Sequence, residues 1–164
     1  MTEPRTGNEK QLLSSFLDQQ RDVVVWKLEG LTDDQLRQRV RSGGLYLLGL
    51  VKHLAAAEYY WLSDIFGRPA ESWDLSASDD AELEPGDTTD SVLGFYARAR
   101  AASDRAMREV DLDATGVTWL GDTVSFRWAI LHMIEETARH AGHADFIREH
   151  IDNTTGHLPR NLPY

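Results

Sequence analysis

Apolar residues recur at intervals of three and four along four long stretches of the chain. These stretches cover residues 9–30, 45–66, 88–110 and 125–151. The interval matches the 3.6-residue turn of an α-helix and places the apolar side chains of each stretch on one face. The sequence contains no convincing set of strands and no internal repeat. It therefore predicts an all-α protein that folds as a four-helix bundle.

Capping residues predict where these helices begin and end. Gly30 is expected to end the first helix. The run from 32 to 35, Thr-Asp-Asp-Gln, has the pattern of a capping box and predicts a short connector helix that ends at the glycine pair 43–44. Residues 88–90 provide three candidate N-caps for the third long helix, and Ser125 is the candidate for the fourth.

The segment between the third and fourth helices, residues 117–124, has a different pattern. Its β-branched and aromatic residues flank Gly121 and Asp122, a pair typical of tight turns. The segment is therefore interpreted either as a short β-hairpin or as an extended crossover between the two helices.

Two further segments have no helical pattern. Residues 70–86 are rich in Asp, Glu and Ser and contain no Lys or Arg, so we expect a long, solvated acidic loop. The tail from about residue 153 carries two prolines and is expected to be loosely held. The length of 164 residues suits one domain, so residues 1–164 are interpreted as a single unit.

Composition and charge narrow the function classes. The 17 basic and 27 acidic residues give a net charge of −10, which argues against nucleic acid or an anionic membrane surface as a partner. No stretch approaches the ~20 apolar residues of a membrane span, and the polar N-terminus does not resemble a signal peptide, so a cytoplasmic protein is expected. The chain has no cysteine. Any thiol chemistry therefore needs a sulfur from outside.

Three ligand-type side chains fall on inward faces of the predicted helices. On the fourth helix Glu136 lies about 40° from His140, whereas Glu135 points almost to the opposite side. Side chains four residues apart share one face and suit two ligands of one ion. His53 lies in the apolar stripe of the second helix, next to Gly49 and small alanines that would leave room for an ion. Two His and one Glu are the ligand set of a catalytic zinc site.

The alternative is that these groups are structural. In that interpretation His53 and His140 are hydrogen-bonded core histidines, and Glu136 pairs with Arg21, which also lies on an apolar stripe. In the metal-site interpretation Arg21 is a charge partner near the site. Three further side chains border the site. They are His143, expected to orient a ligand or handle a proton; Tyr60, a candidate for contact with the cosubstrate; and His132, on the rim or beside a ligand.

Three motifs resemble the DinB-like superfamily, and in particular its actinobacterial branch close to the mycothiol-dependent transferases. The motifs are Gly-Leu-Thr-Asp-Asp-Gln-Leu at 30–36, Leu-Leu-Gly-Leu-Val-Lys-His-Leu at 47–54, and His-Met-Ile-Glu-Glu-Thr-Ala-Arg-His-Ala-Gly-His-Ala-Asp at 132–145. The last motif is the most specific. The resemblance extends over nearly the whole chain.

The resemblance implies a four-helix bundle, often dimeric, that holds a divalent metal, most commonly Zn²⁺ with Ni²⁺ as the alternative. Carried over position by position, the ligands are His53, Glu136 and His140, as in the branch similar to mycothiol-dependent maleylpyruvate isomerase. Because the sequence ends at Tyr164, the second domain of that isomerase is not expected, and neither is its activity.

The function that the resemblance implies is therefore transfer of a low-molecular-weight thiol to an electrophile. In such a reaction a divalent metal lowers the pKa of the thiol. The alternative is a non-catalytic metal-binding stress or ligand-binding protein with the same bundle.

Overall fold

The computed structural model describes residues 6–42, 44–68, 71 and 81–155. Within these residues the chain forms five α-helices and one β-hairpin. The helices are α1 (Glu9–Trp26), α2 (Asp33–Arg37), α3 (Leu47–Leu62), α4 (Thr89–Glu109) and α5 (Phe126–Asp152), and the strands are β1 (Thr115–Val117) and β2 (Thr123–Ser125). No helix in the described part of the chain is both long and apolar enough to cross a membrane.

The four long helices pack as a bundle, which confirms the predicted all-α class. Helix α3 packs against α4 on one side and α5 on the other, and α1 packs against α5. Two groups of buried apolar side chains fill the interior. Helix α3 is the most buried of the four, since nearly all of its residues are inaccessible to solvent. Its apolar character all round is expected of a helix with neighbours on more than one side.

The predicted caps are largely correct. Thr88 and Thr32 both form complete capping boxes, and Ser125 accepts a hydrogen bond from the backbone N–H of Trp128. Helix α1, however, ends at Trp26 rather than at Gly30. The intervening residues form turns whose carbonyl oxygens accept hydrogen bonds from the guanidinium of Arg148 on α5.

Two other predicted helix ends are wrong. The connector helix α2 ends at Arg37, before the glycine pair, because Arg39 donates to the carbonyl oxygen of Gly44 at 2.8 Å and pairs with Glu82 at 2.5 Å. These contacts favour a loop over a longer helix. Helix α3 ends at Leu62, followed by a 3₁₀ turn over Asp64–Phe66.

The segment between α4 and α5 is a β-hairpin, and the alternative of an extended crossover is wrong. The strands are antiparallel, with Thr115 opposite Ser125 and Val117 opposite Thr123. Gly121 adopts a φ of 88° in the turn, a conformation that side-chain-bearing residues rarely adopt. Strand β1 packs against the 3₁₀ turn that follows α3.

Most of the expected acidic loop 70–86, namely residue 70 and residues 72–80, lies outside the described residues, as does the tail from 156. The described end of that loop, from Ala81 to Asp87, packs against α3. The Tyr46 hydroxyl donates to the carbonyl oxygen of Ala81 at 2.8 Å, and Lys52 donates to Asp87 at 2.7 Å. The end of the loop is thus attached to the helix that carries His53.

Candidate metal centre

Three side chains converge in the groove between α3 and α5. His53 comes from the middle of α3, and Glu136 and His140 come from adjacent turns of α5. The Nε2 atoms of His53 and His140 lie 3.1 Å and 2.9 Å from the same oxygen, Oε1 of Glu136. One potential ligand atom from each residue lies within 4.8 Å of the other two.

The antiparallel packing of α3 and α5 produces this convergence. At one end of the groove Trp61 contacts Trp128 and His132. At the other end Leu45, just before α3, lines the same pocket as Phe146. The candidate centre lies between these ends, where the period of α3 brings His53 onto the face toward α5.

The candidate centre is partly shielded from water, and its carboxyl group is ionised. The side chains of His53, Glu136 and His140 are 23%, 13% and 14% exposed. Hydrogen bonds from His140 and His53, together with the positive charge of Arg139, lower the pKa of the Glu136 carboxyl well below its usual range, against the opposing effect of burial. Glu136 is therefore negatively charged at neutral pH, as a carboxylate that binds a metal cation must be.

The donor set fits a divalent ion. Two imidazole nitrogens and one carboxylate oxygen are the ligands of an open catalytic zinc site. Ligands about 2.0–2.1 Å from a tetrahedral ion are separated from one another by about 3.3 Å, close to the observed nitrogen–oxygen distances of 3.1 Å and 2.9 Å. His53, Glu136 and His140 are thus the residues that could hold a metal, with a further position open to a small molecule.

His143 contacts the ligand candidate His140 directly. The Nδ1 atoms of the two rings are 3.3 Å apart, so one nitrogen donates and the other accepts. If Nε2 of His140 binds a metal, Nδ1 of His140 carries the hydrogen, and Nδ1 of His143 is the acceptor. Burial, and then the charge of the neighbouring His140, lower the pKa of His143, which favours the neutral ring that accepts.

Tyr60 and His132 lie outside the cluster of three. The Tyr60 hydroxyl accepts a hydrogen bond from the backbone N–H of Trp119 at 2.8 Å and links α3 to the hairpin. The His132 ring stacks on Trp128, with centroids 5.1 Å apart, and meets Trp61 edge to face. Both side chains belong to an aromatic cluster at the hairpin end of the groove.

The pairing of Arg21 with Glu136, which belonged to the alternative structural interpretation, is wrong. Arg21 forms a bidentate ion pair with Glu58 of α3, with nitrogen–oxygen distances of 2.6 Å and 2.5 Å. It also contacts Asp18 and Asp104. Because every guanidinium nitrogen already has a carboxylate partner, from the buried Glu58 or from the partly exposed Asp18 and Asp104, Arg21 is not the charge partner of the candidate centre.

The expectation that Gly49 leaves room for an ion is also wrong. A Cβ atom at this position would lie 2.3 Å from the carbonyl oxygen of Ala81 and 2.6 Å from the ring of Tyr46. The glycine therefore allows the loop to approach α3 closely.

Two charged groups that sequence reasoning missed take part in these arrangements. Glu58 is the sole acidic residue in the Leu47–Leu62 sequence. Because a charge buried in an apolar helix is costly unless it is paired, its position predicts a basic partner inside the bundle. Arg139 forms an ion pair with Glu136. Its position three residues after Glu136 on one helix predicts such a contact.

Comparison with known proteins agrees with the fold and with the motifs. A family model described as mycothiol S-transferase matches residues 12–153. The crystal structure of a conserved protein from Enterococcus faecalis superimposes with a TM-score of 0.67 at 15% identity, covering 91% of this chain and 100% of that one. At this identity the likeness concerns the fold alone. A comparison with curated proteins gives no match. Because the family model spans most of the sequence, the chain belongs to the mycothiol S-transferase family, a DinB-like family.

Proposed function

We propose that the protein is a divalent-metal-dependent S-transferase that joins a low-molecular-weight thiol, mycothiol or a close relative, to an electrophile. The observation that carries the proposal is the convergence of His53, Glu136 and His140 on one point in a chain of this family. The absence of cysteine is compatible with it, because the nucleophilic sulfur belongs to the cosubstrate.

Each residue has a distinct part in this proposal. His53, Glu136 and His140 hold the cation and leave one position for the thiol. The cation, Zn²⁺ with Ni²⁺ as the alternative, would lower the pKa of the thiol so that thiolate is present at neutral pH. His143 positions the His140 ring through the contact between their Nδ1 atoms.

The remaining parts of the proposal concern partners. The partners are the thiol and a small electrophile, and the protein acts in the cytoplasm, where low-molecular-weight thiols stay reduced. Tyr60, at the hairpin end of the groove, is proposed to contact the bound cosubstrate. The active form is proposed to be a homodimer, and the exposed apolar side chains of Val117, Trp119 and Leu120 on the hairpin suit a contact with a second subunit.

A metal analysis combined with a conjugation screen tests the function. The purified protein, loaded with Zn²⁺ or Ni²⁺, is mixed with mycothiol and a set of electrophiles that includes 1-chloro-2,4-dinitrobenzene. Conjugation is expected with metal, and it should stop in chelator and in Glu136→Gln. Glu135→Gln is the matched control, since Glu135 is 73% exposed on the same helix. Stoichiometric metal without conjugation of any electrophile would favour the non-catalytic binding protein.

A further inference from the structure

A pocket lies next to the candidate metal centre, at the end of the α3–α5 groove opposite the hairpin. It has a volume of about 280 Å³, and its walls come from the loop before α3 and from the C-terminal half of α5. The side chains that define it are Val40, Arg41, Leu45, His143, Phe146 and Ile147. A volume of this size accommodates a substituted aromatic ring.

One imidazole ring connects this pocket to the metal ligands. His143 lines the pocket, and its ring centroid lies 5.3 Å from that of His140. His143 contacts the Nδ1 side of His140, whereas Nε2 of His140 faces Glu136. A molecule in the pocket therefore reaches a thiol held at the centre only if its reactive end extends past the His143 ring toward Glu136.

The pocket lining combines an apolar surface with one cation. Four of the side chains are apolar, and two of these, Leu45 and Phe146, are 45% and 65% exposed. Arg41 is also exposed, and within the described ranges no carboxylate lies within ion-pair distance of its guanidinium. In a chain with a net charge of −10, such an arginine beside an apolar pocket points to an anionic ligand group.

We propose that this pocket binds the electrophile, and that the preferred electrophile has an apolar, aromatic-sized body and a carboxylate that pairs with Arg41. This inference rests on the proposed S-transferase function. The thiol is a poor occupant, because mycothiol is a cysteine derivative of an amino sugar and inositol. Its many hydroxyl groups would find few hydrogen-bond partners among Val40, Leu45, Phe146 and Ile147.

A carboxylate-bearing aryl chloride illustrates the reaction. With 4-chloro-3,5-dinitrobenzoate, the thiolate sulfur forms a bond to the carbon that carries chlorine. The carbon–chlorine bond breaks, and chloride leaves with the bonding electrons. The thiol proton passes to solvent. No oxidant or reductant takes part, and the nitro groups stabilise the charge that develops on the ring.

Binding of unreactive analogues tests the pocket independently of turnover. The probes are 3,5-dinitrobenzoate and the matched neutral compound 1,3-dinitrobenzene, and the readout is quenching of tryptophan fluorescence in Zn²⁺-loaded and in chelated protein. We expect wild type to bind the benzoate more tightly than the neutral compound in both forms. The affinity for the benzoate divided by the affinity for 1,3-dinitrobenzene should fall about five- to tenfold in Arg41→Gln.

Two further variants complete the binding test. Arg105→Gln removes an exposed arginine from α4 and should keep the wild-type affinity ratio. Phe146→Ala should weaken both probes, because it removes apolar surface from the pocket wall. A benzoate that binds no better than 1,3-dinitrobenzene, or an affinity ratio that is equal in wild type and Arg41→Gln, would overturn the inference.

Failure of the pocket and failure of the proposed function give different results. Metal-dependent conjugation of 1-chloro-2,4-dinitrobenzene, with no effect of Arg41→Gln on the affinity ratio, would overturn the pocket inference and leave the S-transferase function in place. The expected loss of benzoate affinity in Arg41→Gln, with no conjugation of any electrophile, would support the anion pocket and contradict the S-transferase.

Discussion

The imidazole rings of His53 and His140 meet edge to face with their centroids 4.9 Å apart, although one ring belongs to α3 and the other to α5. Both rings direct Nε2 toward Oε1 of Glu136. This arrangement is either a hydrogen-bonded triad or the ligand set of a cation. The two cases respond differently to the removal of one charge.

Glu136→Gln should weaken binding of Zn²⁺ by about a hundredfold or more, a loss of at least ~2.7 kcal/mol. The amide keeps the size of the side chain but removes the negative charge that faces the cation. Competition with a chromophoric chelator measures the affinity. The control is Glu135→Gln, one residue earlier, whose side chain is largely exposed. Equal affinities in the two variants would remove Glu136 from the ligand set.

His143→Ala should lower the Zn²⁺ affinity about 10- to 100-fold while leaving the helical content unchanged. The reason is the contact of 3.3 Å with His140, which fixes the tautomer that binds. His143→Asn retains a hydrogen-bond acceptor and should restore part of the affinity. His150→Ala, an exposed histidine two turns further along α5, is the control. A His143→Ala protein with wild-type affinity would show that the ring contact has no role in positioning.

Arg21→Met should destabilise the protein by about 3–5 kcal/mol, because the carboxylate of Glu58 would remain buried without its partner. The double variant Arg21→Met, Glu58→Leu should recover most of this loss. Arg100→Met breaks a partly exposed pair with Asp22 and should cost less than about 1 kcal/mol. Urea denaturation measures the free energy of unfolding. A smaller effect for Arg21→Met than for Arg100→Met would contradict the buried pair.

The Asp87–Lys52 pair should make stability depend on pH. Burial opposes the shift, but the hydrogen bond from Lys52 and that from the backbone N–H of Glu84 lower the pKa of Asp87 below its ordinary value. A carboxyl with a depressed folded-state pKa stabilises the fold above its unfolded pKa of about 3.9, and this contribution is lost as the pH falls. Asp87→Asn should therefore destabilise the protein at pH 7, and the difference from wild type should shrink below about pH 4. A difference that stays constant from pH 7 to pH 3 would contradict the assignment.

The predictions that succeeded rest on local pattern. The long helices and their caps follow from apolar periodicity and from residues within one turn of the helix ends. The inward direction of Glu136 and His140 follows from the helical pitch alone. The hairpin followed from its turn residues, although the sequence left a crossover open. These features depend on neighbours that are close in the sequence.

The predictions that failed depend on contacts between distant segments. Arg21 and both Glu58 and Glu136 lie on inward faces, and which carboxylate meets the guanidinium depends on how the helices rotate about their axes in the bundle. The surroundings of Gly49 depend on Ala81, more than 30 residues away. Helical periodicity contains no information on either relationship. The pocket beside His143 was likewise not predictable, since a loop and the far end of α5 form it together.

The absorption spectrum of the Co²⁺-substituted protein, recorded before and after addition of mycothiol, tests the central claim most directly. The chain has no cysteine, so any sulfur-to-cobalt charge-transfer band must come from the added thiol. We predict visible cobalt bands typical of four ligands, a new near-ultraviolet band that saturates at one thiol per ion, and loss of both in His140→Ala. Cobalt that binds through His53, Glu136 and His140 but produces no charge-transfer band with the thiol would contradict the proposed activation of a thiol at this site.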